Sequence, residues 1–390
     1  MNLAFYYHIP ITQKKGNLYI PGFLGVFIDA LANEIEHLYL IMHESNESES
    51  KSADYKLKNK NITFISLGVK TPAWHRAIFH KKTLKQAVQK IENCNALIVR
   101  SPSPLAPYFY TYLKKTKLIF MVVGDYMEAV KQTKTTTFRE KIVNLYLRYN
   151  NKKFKSVMKK VDVLVNSPTL FEVNKNNAKS IHLIKTTTLS IHDFYKREDT
   201  CQNKPIELLY TGRFDLQKGL VELVEATAEL IAKKIDVRLN LVGWENDSTK
   251  PVEKLLIEKS KKLKIEETVI FHGKKTIGIE LNKMYQMADI YVLPSYHEGF
   301  PRTIWEAMAN SLPVIATKVG GIPAYLTDKK NVLLINPKDT KQITKAIETI
   351  INRKELRQKL IKNGVIIAKD ATLEVQSQNI VNHIQNLYNE

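Results

Sequence analysis

The sequence predicts an α/β protein made of two Rossmann-like, doubly wound domains. Strands and helices alternate regularly from about residue 205 onward, and the first half repeats the style less regularly. At 390 residues the chain is also too long for one ordinary core and suits two domains of usual size.

In the second half, strands are expected at 207–211, 237–242, 269–272, 290–294, 314–316 and 332–335. Each is apolar and β-branched enough to lie buried in a parallel sheet. Helical stretches at 220–233, 251–264, 279–287 and 303–310 separate them. In the first half, strands are expected at 2–7, 37–42, 62–66, 97–99, 118–123 and 163–166. The charged, aperiodic segment 191–205 reads as a linker between a domain of residues 1–190 and one of residues 206–370. Periodicity over 373–388 predicts a helix within a C-terminal segment, 371–390, that packs back towards the first domain.

Composition narrows the class. Hydrophobic residues make up 44% of the chain, so a buried core is expected. With only Cys94 and Cys201 there is no disulfide framework and no CxxC metal pattern, which favours a reducing, cytoplasmic setting. The segment Met1 to Tyr7 has no basic n-region and reads as a first strand, not a signal peptide. No apolar run reaches the roughly 18 residues of a membrane span. The net charge of +20 is concentrated: residues 51–160 hold 24 Lys/Arg against 5 Asp/Glu, while the other 280 residues hold 35 against 34. One surface of the first domain is therefore expected to be basic, as suits nucleic acid, an anionic leaflet or a phosphorylated substrate.

Two segments carry chemistry. After the first strand of the second half comes Thr211-Gly212-Arg213-Phe214-Asp215-Leu216-Gln217-Lys218-Gly219, a glycine-flanked loop whose Arg213 and Lys218 can converge on one anion. After the fourth comes Pro294-Ser295-Tyr296-His297-Glu298-Gly299-Phe300-Pro301, running into a helix that carries Glu306. Its free backbone N–H groups suit an anion, and Glu306 suits a polyol. Singly, these are ordinary features: exposed cations are usually solvated, Glu298 would match a helix dipole, and Glu306 would be a surface helix residue. Both loops follow strand ends of one predicted sheet, however, and so share a crevice.

These residues, with Gly243, Gly273, Ala288-Asp289 and the stretch 294–326, resemble the retaining nucleotide-sugar glycosyltransferases of family 4. The resemblance covers most of residues 206–340 and is loose over 1–190. It implies the GT-B architecture, two Rossmann-like domains facing each other across a cleft, and an enzyme that moves a sugar from a UDP- or GDP-sugar to a glycan or lipid-linked acceptor. Glu306 would bind the ribose hydroxyls, and Arg213 with Lys218 would neutralise the departing diphosphate. Glu298 would hold sugar hydroxyls, with the backbone of Gly299, Phe300 and Pro301 around the sugar and phosphate and Gly212 in the neighbouring loop. Gly22 and Gly25 match a glycine turn that brings a helix N-terminus to the donor phosphates. No metal or other cofactor is expected, since fixed cations can stabilise the leaving group and no Asp-x-Asp pair occurs. Retention is usually attributed to front-face displacement in such enzymes.

The sequence departs from the family at three points. Gly124 stands where many members place a histidine, next to Asp125, which is expected near the reacting centre or, equally, as a helix cap. Ala324 and Ser311 replace a frequent glutamate and glycine. Arg100 ends a first-domain strand and is expected either to contact acceptor or donor phosphate or to form a structural ion pair. His8 and His43 lie on strand ends and read as packing residues.

Basic and aromatic residues interleave at 74–85 and 138–160. They suit an anionic membrane interface, with a solvated amphipathic helix as the alternative. The sequence thus predicts an enzyme on the cytoplasmic face of the cell membrane that acts in bacterial surface polysaccharide synthesis. Two other classes fit parts of the sequence. A sugar phosphorylase or nucleotide-sugar epimerase would keep the fold. A nucleic-acid-binding protein would explain the charge and leave the carboxylates idle.

Overall fold

The computed structural model describes residues 1–50, 52–124, 138–245 and 247–389. The chain divides into two units, one of Met1–Lys185 with Gln376–Glu390 and one of Thr186–Val375.

The first unit contains β1 (Asn2–Tyr6), β2 (Thr12–Lys14), β3 (Asn17–Ile20), β4 (His37–Glu44), β5 (Tyr55–Lys56), β6 (Ile62–Val69), β7 (Ala96–Ser101), β8 (Lys117–Val122), β9 (Asp162–Val165) and β10 (Ser180–Leu183). Seven of these form one sheet in the order β10-β9-β8-β7-β1-β4-β6, and every pairing in it is parallel. Alternation along β1 feeds two cores: Ala4 and Tyr6 join one cluster, Leu3 and Phe5 the other. A sheet buried on both faces needs such apolar strands.

The second unit contains β11 (Ile206–Arg213), β12 (Val237–Trp244), β13 (Val269–Gly273), β14 (Ile290–Leu293), β15 (Val314–Thr317) and β16 (Leu333–Ile335). They form a parallel sheet in the order β13-β12-β11-β14-β15-β16. The chain thus winds outward from β11 on one side and outward from β14 on the other. The border between these two strands is the switch point, where loops leave in opposite directions and open a crevice at the carboxyl edge.

The segment expected as a linker, 191–205, belongs instead to the second unit. Its polar residues bind inward: Arg357 Nε donates to Asp199 Oδ1 at 2.6 Å, Cys201 N to Asp289 Oδ1 at 2.7 Å, and Tyr195 N to the carbonyl of Ala309 at 3.0 Å. Ser311 reinforces the seam. It takes the left-handed conformation, φ 55°, that glycine usually supplies, and its Oγ donates to the Tyr195 carbonyl at 2.7 Å. At the far end, residues 376–389 of the helix Leu373–Asn389 belong to the first unit, with Ile380, Val381 and Ile384 in its core.

Four strands lie outside the sequence expectation. β2 and β3 form a hairpin through Lys15 and Gly16, both at positive φ (49° and 75°), and β5 extends it. β10 is a half-exposed edge strand paired to β9 alone, so it carries no apolar run.

Candidate active site

The site is built where β11 and β14 end. β14 is wholly buried, and the loop after it runs through Ser295 and Glu298 to the helix Arg302–Ala309. The loop after β11 closes through a short turn, Leu216–Lys218, whose first N–H groups are capped by Asp215, with Gln217 N donating to its Oδ1 at 2.9 Å. The two loops are tied at Tyr296, whose N–H donates to the Gln217 carbonyl at 2.8 Å.

Two glycines allow the loops to approach. Gly219 has φ 66°, and a Cβ there would lie 2.1 Å from the Pro294 carbonyl oxygen. Gly320, at φ 55°, would place a Cβ 1.6 Å from the carbonyl oxygen of Glu298. Its neighbour Gly321 donates its N–H to the Gly299 carbonyl at 2.6 Å, so the turn after β15 braces the Glu298 loop. Gly299 itself is exposed and a Cβ there would meet nothing within 4 Å, so no packing demands a glycine at that position.

Across this brace, Lys218 Nζ meets Glu298 Oε1 at 2.6 Å, both side chains mostly buried, and Ser295 Oγ donates to the same oxygen at 2.8 Å. Lys218 has three donors, so one contact leaves two. Arg213 closes β11 as an exposed side chain, while its carbonyl accepts from Tyr210 Oη at 2.9 Å. Gly212 packs its backbone against Gly243, where a Cβ would fall 1.8 Å from the Gly212 carbonyl oxygen.

Glu306 is 7% exposed, on a helix that also buries Ile304, Trp305, Ala307, Met308 and Ala309. Its Oε2 accepts from Tyr285 Oη at 2.7 Å and its Oε1 from Thr188 Oγ1. Burial first, and the Glu306 carboxylate next, push the Tyr285 phenol well above its ordinary pKa, so it is a permanent donor. Each carboxylate oxygen accepts one of these bonds and keeps capacity for another. Tyr291, fully buried in β14, lies in the field of both Glu306 and Glu298, which add to burial in raising its pKa. Phe300 stacks on Trp305 with ring centroids 4.3 Å apart and meets Tyr325 edge-on at 5.0 Å, and Pro301 occupies the N-cap of the Glu306 helix.

The structure therefore brings Arg213, Lys218, Glu298, Glu306, Gly212 and the 299–301 turn to one edge of one sheet. Glu306, which taken singly would be a surface helix residue, is a buried, doubly held carboxylate. Thr188, Tyr285 and the hydroxyl of Ser295 went unread in the sequence. Ser295 stands three residues before Glu298, a spacing that signals a side-chain contact across a turn, whereas Thr188 and Tyr285 carry no local signal.

The first-unit residues have other partners. Gly22 N donates to Asp54 Oδ1 at 2.8 Å, and a Cβ on Gly25 would lie 2.2 Å from the Tyr55 ring. The clash accounts for glycine at position 25, whereas the bond from position 22 needs only a backbone N–H. A Cβ on Gly124 would make ordinary contact with Pro102 Cδ at 3.7 Å, so packing among the described residues does not require glycine there. Asp125 lies outside the described residues. Arg100 lies over the Tyr7 ring at 4.8 Å, and no ion pair to it is present among the described residues. Among the described residues no group of three or more His, Cys, Asp or Glu is placed to hold a metal.

Residues 192–365, which span this whole loop system, match the family model described as glycosyl transferases group 1. The chain carries a glycosyltransferase domain. It is a transferase enzyme. Among curated relatives, it is 27% identical over 372 residues to protein CapJ of Staphylococcus aureus, covering 92% of this chain and 88% of CapJ. It is 26% identical over 182 residues to the capsular polysaccharide biosynthesis glycosyltransferase CapM of the same organism, covering 46% of this chain but only 45% of CapM. The whole chain also superposes on Anabaena HepE, a structure in complex with UDP, with a TM-score of 0.74 at 15% identity, covering 99% of this chain and 100% of that one. At that identity the likeness speaks for the fold, which is that of the GT-B glycosyltransferases.

Proposed function

We propose that this glycosyltransferase is a retaining, metal-independent enzyme of family 4 that transfers a sugar from a UDP- or GDP-sugar to a glycan or lipid-linked acceptor in bacterial surface polysaccharide synthesis. The observation that carries the reading is the Lys218–Glu298 pair at the β11/β14 switch point, with Glu306 held beside it on the following helix. Ligands of open α/β sheets bind in that crevice. The relatives support it: CapM is named for capsular polysaccharide biosynthesis, and HepE is a UDP complex.

In this reading the free capacity of Glu306 takes the ribose hydroxyls. The two unused donors of Lys218, with the exposed Arg213 guanidinium, face the diphosphate. Both contacts of Glu298 fall on Oε1, which leaves Oε2 for a sugar hydroxyl. The bond from the sugar C1 to the diphosphate oxygen breaks with its electron pair going to the diphosphate. The acceptor oxygen then bonds to C1 on the same face, and its proton passes to the departing phosphate oxygen. Negative charge grows on the diphosphate as this happens, so pre-placed cations stabilise the transition state more than the ground state. Proton NMR of the product from a UDP- or GDP-sugar tests the reading: the donor's anomeric configuration is retained, and an inverted anomer would exclude it.

The membrane part of the reading rests on the first unit. No helix among the described residues is long and apolar enough to cross a membrane. On the helix Phe138–Met158, however, Ile142, Leu145 and Tyr149 are exposed at helical spacing, with Leu145 71% exposed. Arg148, Lys152, Lys155 and Lys159 line an open groove on the same segment. Apolar side chains beside cations suit the interface of an anionic bilayer on the cytoplasmic side. In flotation experiments the enzyme is expected to rise with vesicles containing phosphatidylglycerol and to stay down with phosphatidylcholine alone. Equal behaviour with both sinks the idea.

A further inference from the structure

The first unit gathers buried hydrogen-bonding atoms that have no partner among the described residues. They are His8 Nδ1, His43 Nε2, Arg76 Nε and Nη1, Arg100 Nε and Tyr146 Oη. They come from five places in the chain: the end of β1, β4, β7, the short helix Ala73–Ile78 and the helix Phe138–Met158. β4, β1 and β7 are adjacent in the sheet, so His8, His43 and Arg100 share its carboxyl edge.

The groups also act on one another. His43 is 4% exposed and lines, with Thr71, His75 and Arg76, a cavity of about 220 Å³. His8 lies in the field of Arg76, Lys70, Arg100 and His43, and His43 in that of Arg76 and Lys70; burial first and these cations next bring both imidazoles down to about 4. Arg76 likewise acts on Tyr146 and Tyr6. Among the described residues, Lys70 is the one of these cations with a carboxylate partner, Glu49. Buried donors normally have acceptors, and buried cations normally have counter-charges. The atoms of this cluster left without an acceptor among the described residues carry a cost that a multivalent anion would relieve.

We propose that this cluster is a binding site for a phosphoryl group of the acceptor, a phosphomonoester or a diphosphate, which rests on the glycosyl-transfer reading above. Arg76 supplies two N–H donors, Arg100 a third and the Tyr146 hydroxyl a fourth, from three different elements of the unit. His43 donates its Nδ1–H to the Gly68 carbonyl at 3.3 Å. Its Nε2 accepts from a monoprotonated phosphate, or donates once an adjacent anion makes the imidazolium favourable. The uncharged walls Leu67, Leu84 and Leu105 keep the group in a medium where these bonds count for more than in water.

The test is calorimetric titration of inorganic pyrophosphate into the full-length protein already saturated with UDP, so that the donor site is filled. Wild type binds pyrophosphate, and Arg76→Met and His43→Phe each bind about tenfold or more weakly. Because Arg76→Met removes two buried N–H donors that have no acceptor among the described residues, its Tm without ligand stays level with or above wild type, which a purely structural arginine would not allow. Should Arg76→Met melt early, His43→Phe decides by itself. No pyrophosphate binding to the UDP-saturated wild type, or equal binding by the His43→Phe variant, overturns the proposal. Should GDP and not UDP fill the donor site, the same titrations are run on the GDP-saturated protein; failure of both nucleotides to bind strikes the donor reading instead, so the two are separable. Farnesyl diphosphate and glucose 6-phosphate, titrated in the same way, tell a lipid-borne phosphate from a soluble one by which binds more tightly.

Discussion

Lys218→Ala is expected to lower the transfer rate by about 10²–10³-fold, the usual loss when one pre-placed donor to a developing oxyanion is removed. The side chain sits on the turn Leu216–Lys218 and is fixed by Glu298 at 2.6 Å, so it is already in place before any charge develops. Its loss leaves Glu298 with Ser295 as a partner at 2.8 Å, and the pair is neither fully exposed nor fully buried. Stability should therefore fall by only about 1–2 kcal/mol, and the circular dichroism spectrum should be unchanged. Initial rates of UDP or GDP release, measured with the acceptor present, check this. A rate within a few-fold of wild type removes Lys218 from the chemistry.

Glu306→Ala should act on binding and on stability together. The nucleotide loses a charged acceptor for its ribose, which weakens binding by about ten- to a hundredfold. The protein loses the carboxylate that accepts from Tyr285 and Thr188, two hydroxyls of the interior, at a cost of about 1–3 kcal/mol. Tyr285→Phe separates the effects. It keeps the carboxylate and removes one of its two anchors, so nucleotide affinity should fall less than in Glu306→Ala. Thermal melts with and without nucleotide measure both quantities on one sample. If Tyr285→Phe weakens the nucleotide as much as Glu306→Ala does, the role of Glu306 is to shape the loop and not to touch the ribose.

The sheet of the second unit was legible because its strands are short apolar runs that must be buried on both faces. All six appear within two residues of expectation, and the helix at 279–287 has the expected ends. Strands that are not buried on both sides escaped: β10 lies on an edge, and β2 and β3 depend on a lysine taking positive φ in their turn. The segment 191–205 reads as a linker because charge in a sequence usually signals solvent. Its Asp199 and Arg197 are charged and spend that charge inside the unit, Asp199 on Arg357 and Arg197 on the carbonyls of Tyr285 and Gln286.

The site divides along the same line. Arg213, Lys218, Glu298 and Glu306 were readable because each follows a strand of one sheet, and position in a parallel sheet converts sequence order into a shared edge. The holders Thr188 and Tyr285 were not, since they reach Glu306 from 118 and 21 residues away along the chain. The cluster around Arg76 was illegible for a related reason. His8 and His43 read as packing residues in isolation, and only the fold shows that their unpartnered nitrogens lie among cations.

The central claim is that the β11/β14 crevice of the second unit binds the nucleotide through Glu306. Calorimetric titration of UDP and of GDP into wild type and into Glu306→Ala tests it most directly. One of the two nucleotides should bind wild type at a stoichiometry of one and bind Glu306→Ala at least tenfold more weakly. Equal affinity for wild type and variant, or binding of neither nucleotide to wild type, would contradict it.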